Sequence, residues 1–456
     1  MHKPIQSIFR EYDIRGIYED TLNESDAVYI GKAFATYVIT KSGNYNPTIA
    51  VARDGRLSSP ALSAALIRGI KSVGAKVVDL GVLPTPALYF ANHVLQIDGG
   101  VMITGSHNPP SYNGFKMVAC KNALYGNEIA VLYNIYHYGG IGEEVPINQD
   151  RFRASYVKEL LKACNSSSNS RIKVAWDPGN GAAGQVINEL IEHLPGEHIV
   201  INSAIDGTFP NHHPDPSVPA NLAQMIEVMK QNNCNLGLAF DGDADRVGVV
   251  DENGRILQGD ELLMIFASDI LGTNPGATII ADVKSSQHLF DKVKEAGGAP
   301  LMWKTGHSLI KAKMKETKAI LAGEMSGHIF FADKYYGYDD GIYAAVRMVD
   351  LLLRTKQNLA DIVKTLPESF STNEIRIECE DSKKFEIVEN IKNKLVGMDG
   401  IEVNDIDGVR VKNHYGWWLV RASNTQPALV ARCEAYNKDG LEKLLSELHS
   451  ILPEST

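Results

Sequence analysis

The segment DGDADR, Asp241 to Arg246, follows the apolar run NLGLAF and sets three carboxylates at i, i+2 and i+4, with only Gly242 and Ala244 between them. Such a loop can fold round one small cation, because the spacers are too small to obstruct it. A set of oxygen donors without His or Cys favours Mg²⁺ over zinc. The alternative is a solvated acidic turn that opens the hairpin VGVVDENGRIL. One Asp would suffice for a turn, whereas three repel one another unless a cation sits among them, and this favours Asp241, Asp243 and Asp245 as metal ligands.

Three further segments carry reactive side chains. In VMITGSHNPPSYNGFK, Val101 to Lys116, the prolines stop any helix and leave Ser106 on a loop. Its hydroxyl is a candidate nucleophile, with His107 and Lys116 to supply charge or move a proton. Thr104 stands at the first Gly position of the hydrolase elbow G-x-S-x-G, so that reading loses ground. In GEMSGH, Gly323 to His328, an extended backbone would point Glu324, Ser326 and His328 the same way, a set suited to a sugar. In RASNTQP, Arg421 with Ser423, Asn424 and Thr425 makes an anion cradle between two strands. Each segment alone also reads as a hydrogen-bonded turn or a solvated rim. GNGAAG, Gly179 to Gly184, matches a dinucleotide fingerprint, but Asn202 stands where the ribose-binding acid belongs, so a tight strand-to-helix turn is preferred.

The elements that must position these loops recur three times. A short apolar strand ends in Asp, and an amphipathic helix and a second strand follow. The copies span Thr48–Gly81, Arg171–Asn202 and Ala277–Gly306, and their strand-ending acids are Asp54, Asp177 and Asp282. A spacing of roughly a hundred residues is too long for a solenoid and fits three successive α/β domains with mixed sheets covered by helices. After Leu366-Pro367 the pattern changes to strands flanked by two helices, an α+β tail. The expected domains are 1–150 with the serine loop, 151–255 with the acidic loop, 256–367 with GEMSGH and 368–456 with the anion cradle. Ser-rich NSSSNS, Asn165 to Ser170, reads as a loop inside the second domain.

The chain has 456 residues, 44% hydrophobic and 22% charged, the make-up of an ordinary globular protein. Its formal charge of -10 argues against nucleic acid or an anionic membrane as partner, and any anionic substrate needs a local cationic cluster. The five cysteines are far apart and odd in number, which reads as buried free thiols. The start, MHKPIQSIFREYDIRG, has no signal-peptide core, and no run approaches the length of a membrane span. A cytoplasmic protein is expected.

The four motifs in this order, with the opening FREYDIRG, resemble the α-D-phosphohexomutase superfamily. TGSHNP with GEMSGH is most similar to its bacterial phosphomannomutase/phosphoglucomutase branch. The resemblance implies four domains round one central cleft and reversible phosphoryl transfer between C1 and C6 of mannose or glucose phosphates. Ser106 would carry the phosphoryl group, and Asp241, Asp243 and Asp245 would hold Mg²⁺ beside it, with Ser106 as a further metal ligand. Glu324 and Ser326 would bind sugar hydroxyls, with His328 and His307 nearby, while Arg421, Ser423, Asn424 and Thr425 would hold the remote phosphate. Tyr12, Arg15, Lys116, Arg246 and Lys284 match positions that line the family's cleft, and His107, Lys116, His307 and Arg15 are open candidates for the general acid or base. Glucose 1,6-bisphosphate or mannose 1,6-bisphosphate would be the activator, hexose phosphates the partners, and the chain a monomer or weak homodimer. Phosphoglucosamine mutase and a metal-dependent sugar phosphatase are the alternatives. The stretch YNIYHYGG and the pair Trp417-Trp418 carry no reading.

Overall fold

The computed structural model describes residues 2–166, 172–380, 382–424 and 427–452. Thr425 of the anion cradle and Ser167–Ser170 of the Ser-rich loop lie outside the described residues.

The first three sheets share one order over four strands. In the first, Lys76–Val82, Thr48–Arg53 and Gly99–Ile103 lie side by side and parallel, then Tyr112–Ala119 and Ile14–Ile17 continue antiparallel. In the second the same places are taken by Glu197–Val200, Lys173–Asp177 and Leu236–Phe240, then Val247–Asp251 and Ile256–Leu257. In the third they are Ala299–Trp303, Thr278–Asp282 and Leu321–Gly323, closed by Ile329–Phe331. The central strands are buried along their length, as the apolar runs IAVA, LGLAF and IIA require of strands covered on both faces.

This order puts the chemistry in equivalent places. The serine, acidic and GEMSGH loops each join the third of the parallel strands to the antiparallel strand that follows it, across a tight turn. The first of the parallel strands pairs with the third, so its terminal acid emerges beside that turn. Open α/β sheets bind ligands at this carboxyl edge. Asp54 accepts from Thr104 Oγ1 at 2.8 Å and Gly105 N at 3.1 Å. Asp282 reaches Met325 N at 3.4 Å. Asp177 bonds instead to Asn202 and His212.

The tail sheet is antiparallel, ordered Phe370–Ser371, Ala428–Ala435, Gly416–Ala422, Val409–Asn413 and Glu402–Asn404, with Ile375–Glu378 also on Ala428–Ala435. The helices Lys384–Leu395 and Lys438–Ile451 contribute Ile391, Leu395, Leu444 and Leu448 to the core it shares with Trp418. Trp417, one residue on, faces the other way and packs with Leu419 against Val283 of the third domain. The Trp pair thus divides between a core and a domain interface. One apolar core continues from the first domain through the second into the third, so their relative placement is packed rather than tethered. All five cysteines are free, but only Cys234 and Cys433 are buried; Cys120, Cys164 and Cys379 are half-buried because they sit at element ends.

The helix Ser59–Lys71 begins just after Arg56 and crosses Glu24–Ser42 at a reciprocal pair of glycines. A Cβ on Gly69 would lie 2.2 Å from Val28 O, and one on Gly31 2.3 Å from Leu66 O. Ala normally stabilises a helix by about 1 kcal/mol relative to Gly. Here the backbones must part, so Gly69→Ala is expected to destabilise by about 1–3 kcal/mol, read as a lower urea midpoint.

Candidate active site

Ser106 takes a left-handed backbone, φ 49, which costs a non-glycine residue free energy and persists only where neighbours over-determine it. The neighbour responsible is Arg56, whose guanidinium is buried among backbone oxygens. It donates to Ser106 O and Asn108 O at 2.7 Å each, to Pro109 O at 2.5 Å and to Tyr112 O at 3.0 Å, while its Nε meets Asp54 at 3.1 Å. Sequence reasoning named Asp54 but missed Arg56, although both stand in TIAVARDGR. The signal was an arginine two residues past a strand-ending acid. The Ser106 hydroxyl donates to Asp241 at 2.8 Å and lies 3.2 Å from His107 Nδ1. Burial, then Arg246, Arg15 and Lys116, push the His107 pKa well below the ordinary histidine value, so the ring is neutral.

Asp241, Asp243 and Asp245 are fully buried, and an oxygen of each lies within 4.8 Å of the others. Their charge is met by groups from two other domains. Lys116 Nζ lies 2.7 Å from Asp243 and 2.5 Å from Asp245, and its ammonium is held protonated by these acids against the effect of burial. Thr85 donates to Asp243, and His328 Nε2 lies 3.3 Å from Asp245. Burial and the other two acids push Asp241 well above the usual carboxylate range. Burial also opposes ionisation of Asp245, but Lys116, His328 and Arg246 together hold it well below that range. Asp243 Oδ1 is buried without a hydrogen-bond partner among the described residues, the condition of an acceptor awaiting a cation. The donor set fits a hard divalent ion. Gly242 is required for a reason the spacing did not reveal: its Cβ would sit 2.5 Å from Ser106 O. The two loops touch backbone to backbone.

The structure corrects the reading of GEMSGH. The segment is a turn, not an extended strand, with Gly327 N bonded to Glu324 O and Glu324 N to His328 O, each at 3.0 Å. Glu324, Ser326 and His328 still converge, because the turn folds them over one another. His328 Nδ1 lies 2.9 Å from Glu324 and 3.0 Å from Ser326 Oγ. Burial works against a charge on His328, but Asp245 and Glu324 outweigh it and push the pKa up to about 9. Glu324 also accepts from Gly306 N at 2.6 Å. His307 opens a helix, its ring 5.6 Å from that of His328, and lies beside Asp339 and Lys311.

Of the remaining residues, Tyr12 and Lys284 bind domains to one another directly and Arg421 does so through Asp407. Tyr12 donates to Thr305 O at 2.6 Å and accepts from Asn424, joining the first, third and fourth domains. Arg15 pairs with Asp13 at 2.5 Å. Lys284 pairs with Glu374 at 2.7 Å. The Arg421 guanidinium grips Asp407 through Nε at 3.1 Å and Nη2 at 3.2 Å, and Asp407 in turn accepts from Thr305 N at 2.9 Å. Ser423 sits in the hairpin through its N–H to Ala428 O at 2.9 Å. Asp13 and Glu374 are acids that the sequence reading did not single out, because an isolated acid carries no pattern, and Asp407, in the Asp-Gly pair Asp407-Gly408, reads in sequence only as a turn residue.

Arg56→Met would leave the Asp54 carboxylate without its buried counter-ion and four loop carbonyls without donors. A cost of about 3–5 kcal/mol is expected. Amide hydrogen exchange should show Gly105–Tyr112 exchanging faster, with the tail sheet unchanged.

Four family models match in chain order. They are the phosphoglucomutase/phosphomannomutase alpha/beta/alpha domains I, II and III, over residues 6–137, 154–254 and 258–370, and the C-terminal domain over 374–450. A phosphomannomutase/phosphoglucomutase of Pseudomonas syringae is 46% identical over 98% of this chain and 95% of its own. A phosphoglucomutase of Neisseria gonorrhoeae is 41% identical over 98% and 97%. A phosphoglucomutase/phosphomannomutase family protein from Burkholderia thailandensis superposes with a TM-score of 0.91 at 41% identity, covering 98% of this chain and 97% of that one. With its four domains, its three equivalent loops and these relatives in agreement, the chain belongs to the phosphoglucomutase/phosphomannomutase family of the α-D-phosphohexomutases.

Proposed function

We propose that this protein moves a phosphoryl group reversibly between C1 and C6 of hexose phosphates, with Ser106 as the group that donates and recovers it. The observation that carries the reading is the Ser106 hydroxyl, fixed in a strained loop and aimed at three buried carboxylates. Mannose and glucose phosphates are the proposed substrates, and a hexose 1,6-bisphosphate is the proposed intermediate and activator. Domain limits near residues 150, 255 and 368 separate the four loops, and a cytoplasmic location suits five free cysteines.

When Ser106 attacks the bisphosphate, its O–H proton passes to His107, whose Nδ1 lies 3.2 Å away. The new Oγ–P bond forms as the bond from phosphorus to the sugar oxygen breaks, and that oxygen takes up a proton from water to become a hydroxyl. In the opposite step the sugar hydroxyl gives its proton to water as its oxygen bonds to phosphorus, the Oγ–P bond breaks, and His107 returns its proton to Oγ. Asp241, Asp243 and Asp245 would hold Mg²⁺, which supplies charge neutralisation at the phosphoryl oxygens. Lys116, Arg246 and protonated His328 add fixed positive charge at the same place, where phosphoserine brings about two negative charges. Glu324 and Ser326 bind sugar hydroxyls; each carboxylate oxygen of Glu324 has one protein partner and can accept another. Arg421, Ser423 and Asn424, with Thr425, take the phosphate at the far end.

Coupled assays with mannose 1-phosphate, glucose 1-phosphate and glucosamine 1-phosphate are expected to show turnover of the first two. Ser106→Ala should lower kcat about a thousandfold or more. Wild-type protein incubated with glucose 1,6-bisphosphate should carry phosphate on Ser106 by mass spectrometry; release of inorganic phosphate as the main product would instead establish the phosphatase alternative.

Chelation should abolish activity and added Mg²⁺ restore it. Asp243→Asn, which removes one charge without changing shape, should raise the Mg²⁺ concentration needed for half-maximal activity about tenfold or more.

A further inference from the structure

A cavity of about 870 Å³ opens between the first and third domains, with Lys311, which donates to Asp339, in its lining. One wall is the helix Thr85–Val94 with the turn at Lys121, and the other is the helix His307–Thr317 with the hairpin at Tyr336–Tyr338. Nothing in the proposed reaction uses it, and its lining is of two kinds.

The first kind is cationic, on a chain whose formal charge is -10. Lys311, Lys315 and Lys318 fall at i, i+4 and i+7 and line the cavity together with Lys121 and Lys41. Lys41 is neutralised by Glu128 at 2.6 Å and Lys311 by Asp339 at 2.6 Å. Among the described residues Lys315 reaches the amide oxygen of Asn122, across the gap, at 2.8 Å and no acid. Lys121 and Lys318 have no ion-pair partner among the described residues. A helix C-terminus attracts lysines, and that would account for Lys315 and Lys318. It does not account for Lys121 on the opposite wall. Moreover Lys121 and Lys318 both hold left-handed backbones, φ 62 and 57, where Gly or Asn would cost less.

The second kind is aromatic. His93 stacks on Tyr336 at 4.6 Å between centroids, Tyr338 lies parallel to Tyr336, and Tyr89 closes the inner end against Tyr338. Tyr336 remains 37% exposed, so part of this wall faces the opening. A planar ring would stack there while an attached anion met the lysines. The volume is that of a small-molecule site, and inter-domain clefts are where such sites occur.

We propose that this cavity is a second ligand site, separate from the catalytic cleft, for a phosphorylated ring compound of the nucleoside diphosphate class. Lys121 and Lys318 grip the phosphates from opposite domains, and the His93–Tyr336 wall takes the ring. A ligand held in this way ties the first domain to the third.

The test is calorimetric titration of the full chain with ADP, with glucose 1-phosphate present at saturation to fill the catalytic cleft. One ADP per chain is expected to bind. Lys121→Ala and Lys318→Ala should each weaken binding about tenfold, and Tyr336→Ala should weaken ADP but not pyrophosphate. Neither lysine belongs to the catalytic machinery, so both variants should keep the wild-type rate of any sugar-phosphate turnover. Binding is read directly, so a failure of the mutase reading would leave this result intact. Absence of ADP binding at millimolar concentration, or binding that the lysine variants do not change, would overturn the proposal, as would pyrophosphate binding as tightly as ADP.

Discussion

Three carboxylates with no solvent exposure cannot stand within reach of one another without positive charge brought to them. Taking each from water costs several kcal/mol even after the protein relaxes, and their mutual repulsion adds to that. The compensation comes from other domains: Lys116 and Thr85 from the first, His328 from the third. The backbone follows the same lines. Val247 N bonds to Gly327 O at 3.1 Å, Gly341 N to Ala244 O at 3.2 Å and Thr85 N to Asp243 O at 2.9 Å. The acidic loop is therefore the hub on which three domains are assembled, and the demand that makes it reactive also makes it structural.

The fourth domain is held by a different device. Arg410 donates to Val283 O at 2.6 Å and Ser285 O at 2.8 Å, and its guanidinium lies 3.7 Å from the Trp417 ring centroid. Arg432 donates to Lys284 O, and Glu434 accepts from both Gln287 N and Trp417 Nε1. Here charged side chains reach the backbone of the segment just after Asp282, the strand-ending acid of the third domain. The interface is polar and small in its apolar part, Val283 with Trp417 and Leu419, whereas the first three domains share one core. A polar, directional interface can open as a unit more readily than a packed core can shear.

Much of the plan was legible along the chain. The repeated strand, acid, helix and strand are local patterns, and so are the loops that end the third strands. The order of four strands that the three sheets have in common turns this one-dimensional repetition into three equivalent reactive edges. What escaped was everything carried by a single residue without a pattern. Arg56 looks like a surface arginine in sequence, yet it is buried beneath the serine loop. Asp407 and Glu374 are ordinary acids until folding sets them against Arg421 and Lys284. GEMSGH was misread as extended because alternation at two-residue spacing is also what a tight turn with i to i+4 closure can present.

The sequence by itself determined the residue types of each loop, their order and the repeated α/β grammar, since spacing and periodicity are properties of neighbours along the chain. Only the tertiary structure decided which loop meets which: that Ser106 faces Asp241, that Lys116 serves the acids of the next domain, and that Tyr12 meets Asn424 from the other end of the chain. The physical reason is that burial and charge compensation act through space. A carboxylate is satisfied by whatever cation the fold brings within a few ångströms, and distance along the chain does not enter.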